Sequence, residues 1–145
     1  NSNNNLFDIY TVREIKVRVW DKNKKLFLPE DSIAVLSGQG QLFVMIKDFE
    51  NYREGEYGYA DSFELIQFTG LLDKNGKEIY EGDIITHNKY TKESGRNEQS
   101  NPKIVYWDDT KAGFEQNPPN NYQSGMFYSE YTIIGNKYSN PELLN

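Results

Sequence analysis

Turn signals recur about every ten residues along this chain, and the apolar segments between them are short. Such segments suit strands, although periodicity does not decide a five-residue run and leaves helix as the alternative at 42–46. They are filled by residues that favour a pleated, half-buried surface. Eleven Tyr and eight Phe lead, with Val and Ile beside them. The pattern predicts a mostly β protein of about eight short antiparallel strands with minor α structure, a small barrel or sandwich rather than a parallel α/β sheet.

The clearest alternation lies at residues 13–20. Ile15, Val17 and Val19 alternate with Glu14, Lys16, Arg18 and Trp20. This predicts a strand with the three aliphatics on the core face and Lys16, Arg18 and Trp20 as an outward cation–aromatic stripe. Residues 21–25 turn the chain, and Leu26-Phe27-Leu28 returns until Pro29 stops it, giving a hairpin. Residues 33–36 and 42–46 are two further apolar runs, and residues 48–62 are charged and Tyr-rich, a loop by pattern. A strand is predicted at 63–68, followed by the strongest reversal signal of the chain, Asn75-Gly76. Strands at 84–86 and 104–107 form a hairpin pair separated by the wholly polar 92–103, predicted as a long tip. Asn117-Pro118-Pro119-Asn120-Asn121 excludes regular structure. A last strand is expected at 128–134, and Asn140-Pro141-Glu142 has the order of a short closing helix.

A chain of 145 residues suits one domain or two small ones sharing a core. The organisation expected is a disordered segment or extension at 1–12, an N-terminal β-hairpin subdomain at 13–69, and an SH3-like barrel region at 70–145 with a short C-terminal helix. Glycines 70, 76, 82 and 135 are expected at reversals of positive φ.

Composition narrows the chemistry. There is no Cys, so no disulfide framework, thiolate nucleophile or Cys-ligated metal. His87 is the only histidine, read as a half-exposed strand residue. No apolar run approaches the roughly 20 residues of a membrane span. Ser37-Gly38-Gln39-Gly40 lacks the Lys-Ser/Thr ending of a phosphate loop. Residues 73–78 fail as a calcium loop, because Leu71 and Gly82 would fill its first and twelfth positions. Glu78, Glu81 and Asp83 form an acidic group that could hold a metal, but acids flanking a turn glycine more commonly satisfy the backbone. The expectation is no enzyme, no cofactor and no metal.

Charge is unevenly distributed. Residues 13–25 carry six cations against two acids, a net +4, and residues 48–64 carry one cation against six acids, a net -5. Lys16, Arg18 and Trp20, with Trp107 on the barrel strand, are the candidate binding residues. They suit a protein partner, a second copy of the chain, or, as an alternative, a nucleic-acid backbone with Trp20 stacking on a base. The overall charge of -6 and pI near 4.8 disfavour sequence-independent nucleic-acid binding.

Three blocks add a resemblance. REIKVRVWD at 13–21, QFTGLLDKNGKEIYEGDI at 67–84 and IIGNKYSNPELL at 133–144 together resemble the YopX family of phage and prophage proteins. The resemblance spans 13–144 and makes 1–11 an extension or alternative start. The open edges of short strands and the opposite charges of residues 13–25 and 48–64 point to an accessory module that binds a host or phage protein or a second copy, with no membrane partner. The resemblance implies a mostly β protein of phages or prophages that works in the host cytoplasm. It implies neither an activity nor any functional residue.

Overall fold

The computed structural model describes residues 14–30, 32–46, 55–58, 61–117 and 130–145. Their architecture is antiparallel β, with one closing 3-10 turn at Pro141–Leu144. The expected extension at 1–12 lies outside the described residues, as do 118–121 of the Pro-Pro segment.

Among the described residues three sheets are formed. In the first, β1 (Val17–Asp21) lies between β2 (Leu26–Phe27) and β6 (Phe63–Leu72), and β7 (Glu78–Tyr80) follows β6, giving the order β2-β1-β6-β7. The second contains β8 (Asp83–Thr91), β10 (Lys103–Asp108), β11 (Gly113–Asn117) and β12 (Tyr131–Asn136) in the order β11-β10-β8-β12, with β9 (Arg96–Gln99) pairing the far end of β8. The third is β3 (Ile33–Leu36), β4 (Leu42–Ile46) and β5 (Gly55–Gly58). The mostly β, small-barrel-like fold read from the sequence is the fold observed.

β7 is the wedge between two cores. Successive strand residues point to opposite faces, and here both faces are covered. Ile79 packs with Ile85, Val105 and Tyr131, while its neighbour Tyr80 packs with Trp20, Ile66 and Phe68. The preceding turn is tied into the second sheet. Asp73 accepts the N–H groups of Asn75 and Lys77 on one oxygen and that of Ile133 on the other. The Lys74 N–H donates to the Tyr131 carbonyl. After β7, Gly82 donates to the Val105 carbonyl and accepts from Lys137, at a φ of +80°.

Four expectations need correction. The polar stretch 92–103 is not one long tip, since β8 runs to Thr91 and pairs β9 from Asn88↔Gln99 to Thr91↔Arg96. Both faces of this ribbon are solvated, so no hydrophobic alternation marks it. Residues 55–58, within the expected loop, form β5 against β4. Gly70, Gly76 and Gly82 have positive φ, but Gly135 does not. Gly135 is needed for close approach, because a Cβ there would lie 2.7 Å from Asn140 Oδ1 and 2.8 Å from Leu143 Cδ1. The fourth correction concerns β1.

Candidate functional site

On β1 the predicted faces are reversed at one end. Val19 is buried as expected, but Ile15 and Val17 are 71% and 40% exposed, and Trp20 is only 5% exposed. The face carrying Lys16, Arg18 and Trp20 turns toward aromatic rings that later strands and the turn after β12 supply. Trp20 meets Phe27 edge-on at 4.8 Å and Tyr138 at 5.4 Å. The Arg18 guanidinium lies 3.8 Å from the centre of the Tyr80 ring, and Lys16 Nζ lies 5.8 Å from that of Phe68. Both charged groups lie over ring faces of this floor. Local alternation cannot reveal this, because the rings belong to residues 68, 80 and 138.

These residues border a cleft of about 480 Å³ lined by Lys16–Val19, Phe27–Glu30, Ser32, Glu78 and Tyr80. It exists because β2 pairs only Trp20 and Asp21 before Pro29 leads the chain away, so the first half of β1 has no neighbour on that side among the described residues. Lys16 Nζ is bonded to Glu78 Oε2 at 3.0 Å and Glu14 Oε1 at 3.2 Å. The Glu78 and Glu14 hydrogen bonds raise the Lys16 pKa. Among the described residues no carboxylate lies within ion-pair distance of Arg18. Burial, and then Glu78, raises the Tyr80 pKa, with Arg18 opposing both. The Ser32 hydroxyl oxygen in the cleft wall is buried without a hydrogen-bond partner.

The structure therefore brings Lys16 and Arg18 together at one cleft and removes Trp20 from its surface. Trp107 lines no part of the cleft. It sits on β10 in the other sheet, 39% exposed and edge-on to Phe114 at 5.0 Å. Tyr80, Ser32 and Glu30 were not legible as site residues. The one sequence signal for the cleft was Pro29, which ends β2 and so leaves β1 open.

The acidic group weighed for a metal is divided among structural roles. Glu78 pairs with Lys16, and Asp83 Oδ2 accepts the Tyr80 N–H at 2.8 Å. Asp83 is 4% exposed, and burial raises its pKa to about 6 against the opposing pull of that hydrogen bond and of Arg18. Burial also raises the Glu81 carboxyl. His87 is half-buried as predicted, its ring edge-on to Tyr131 at 4.9 Å. No helix among the described residues is long and apolar enough to cross a membrane.

Comparison with known proteins agrees with this fold. The chain is similar to a crystal structure of protein EF1440 from Enterococcus faecalis, with a TM-score of 0.65 and 24% identity over 92% of this chain and 100% of that one. No curated protein sequence matches it. The YopX protein family matches residues 16–145, a span that holds the β1 strand, the Asp73–Asp83 region between the two cores and the closing turn. The chain belongs to the YopX family.

Proposed function

We infer that this chain is a non-enzymatic interaction module that holds a protein partner at the cleft beside β1, and that it serves a phage or prophage in the host cytoplasm. The observation that carries this reading is the company kept by Arg18. A cation without a carboxylate partner among the described residues lies on an aromatic ring, beside the exposed aliphatics Ile15 and Val17. That mixture of apolar surface and one unpaired charge suits protein recognition. Glu78, Asp83 and His87 are engaged with Lys16, the Tyr80 N–H and the Tyr131 ring, which supports a non-enzymatic role.

The opposite charges of residues 13–25 and 48–64 also favour association of copies. Affinity capture from infected host lysate tests the partner reading. One protein retained by the wild type and lost with Arg18→Glu is the expected result, and an unchanged set of captured proteins would remove it. Light scattering at low and high salt tests self-association. An assembly that dissociates in salt is expected, and a monomer at every concentration would exclude it.

The nucleic-acid alternative loses its base-stacking ring with the burial of Trp20. Trp107 is the tryptophan left to serve it. Quenching of that residue by short oligonucleotides at low salt would be its signature, and no quenching would dismiss it.

A further inference from the structure

We propose that the outer edge of β1 accepts an extended segment of another protein as an added strand, and that this segment carries an acidic side chain for Arg18. The inference rests on the interaction-module reading and names how the partner would be held.

The backbone sets the geometry. The Lys16 carbonyl accepts the Phe68 N–H from β6, whereas the Val19 carbonyl accepts the Leu28 N–H from the β2 side. In an antiparallel ladder the N–H and C=O of one residue point to the same side, and successive residues alternate. The even-numbered residues of β1 therefore bond to β6. Val17, in step with Val19, presents its N–H and C=O to the other side, where β2 has already ended. The cleft lies along this edge, which is open among the described residues, and is bounded by Leu28, Pro29 and Ser32. A strand laid there would gain main-chain hydrogen bonds at Val17 and cover exposed Ile15 and Val17.

Charge selects the occupant. Residues flanking the one opposite Val17 would project on the face of Lys16 and Arg18. Lys16 is already satisfied by Glu14 and Glu78, so Arg18 is the cation available to a carboxylate. A second copy is a poor occupant, because antiparallel pairing about Val17 would set the Lys16 of one copy opposite the Arg18 of the other.

The test uses the full chain and two labelled eight-residue peptides of alternating Thr and Val, one with a central Glu and one with a central Lys, read by fluorescence anisotropy. Binding of the Glu peptide with at least tenfold preference over the Lys peptide is expected. Arg18→Glu should invert the preference. Val17→Pro should abolish binding, because proline removes an N–H that points away from β6 and leaves that ladder intact. Slowed hydrogen exchange of the Val17 amide on adding the Glu peptide would place the strand at this edge.

Equal binding by Val17→Pro, or a preference unmoved in Arg18→Glu, overturns the proposal. If Val17→Pro does not fold by circular dichroism, the Arg18→Glu inversion and the Val17 amide decide alone. Absence of peptide binding by the wild type also overturns the proposal. The broader reading stands or falls separately on the Arg18-dependent lysate capture.

Discussion

The Asp73 carboxylate accepts the backbone N–H of Ile133 at 3.1 Å, across 60 residues of sequence. With its other oxygen it closes its own turn, at 2.8 Å from Asn75 N and 2.9 Å from Lys77 N. One side chain thus shapes the β6–β7 reversal and holds it against β12. Burial pushes its pKa up, but the N–H donors and Lys77 outweigh this and leave it below the usual value of 3.8.

Asp73→Ala should therefore destabilise the fold by about 2–4 kcal/mol, since three donors lose their acceptor. Its contribution is present above the unfolded pKa and disappears as pH falls through the lowered folded value. Urea denaturation at pH 7 and at pH 2.5 checks this. The wild type and the variant should differ most at pH 7, and the difference should narrow in acid.

Gly82 and Gly76 share a φ of +80° but not an environment. A Cβ at Gly76 meets nothing within 4 Å, while one at Gly82 would lie 2.6 Å from Tyr138 Cε2. Tyr138 cannot easily give way. Its ring packs against Trp20 and Phe27, and its hydroxyl donates to Glu64 Oε1 at 3.0 Å. Gly76→Ala should cost about 1 kcal/mol, the left-handed backbone alone. Gly82→Ala should cost about 3 kcal/mol or more. Equal losses in thermal melts would show that Tyr138 exerts no constraint.

Asp83 predicts an opposite pH response from Asp73. Its folded pKa, about 6, lies above the unfolded value of 3.8, so the fold binds the proton more tightly than the open chain does. The cost of charging is absent below pH 3.8, grows between 3.8 and 6, and is complete above 6. Asp83→Asn keeps an oxygen for the Tyr80 N–H and removes that cost. It should stabilise the protein by about 1–3 kcal/mol at pH 7 and by nothing near pH 3.5. Destabilisation at pH 7 would contradict this.

The two tryptophans should report separately. Trp107→Phe should leave blue-shifted emission that acrylamide quenches poorly, because Trp20 is buried. Trp20→Phe should leave emission that is red-shifted and readily quenched. Trp20→Ala should cost about 3–5 kcal/mol by emptying the cluster of Phe27, Ile66, Phe68 and Tyr80. Poor quenching in both Phe variants would contradict the exposure of Trp107.

Elements whose signal is local were legible. Asn75-Gly76 marked the β6–β7 turn, the 104–107 run marked β10, and Asn140-Pro141-Glu142 marked the closing turn. Pairing of β10 with the start of β8 followed from their order. Ile84 and Ile85 declared the core strand, yet nothing in the polar residues 92–103 declared β9, since a solvated ribbon is held by backbone bonds that any side chain permits. Positive φ was legible at Gly76 and Gly82, where a reversal demands it. At Gly135 the demand comes from Asn140 and Leu143, and only their positions show it.

The sequence by itself determined that this chain is β, where it turns, and that Lys16 and Arg18 share one face of a strand. Turn residues and period-two alternation act through neighbours in the chain, so they can be read without coordinates. Tertiary structure alone decided which way that face points. Tyr80 and Phe68 from distant strands and Tyr138 from the turn after β12 arrive to cover Trp20 and seat Arg18, while Pro29 takes β2 away from Val17. Burial depends on what is brought against a surface, and alternation in β1 specifies two faces without saying which of them will be met.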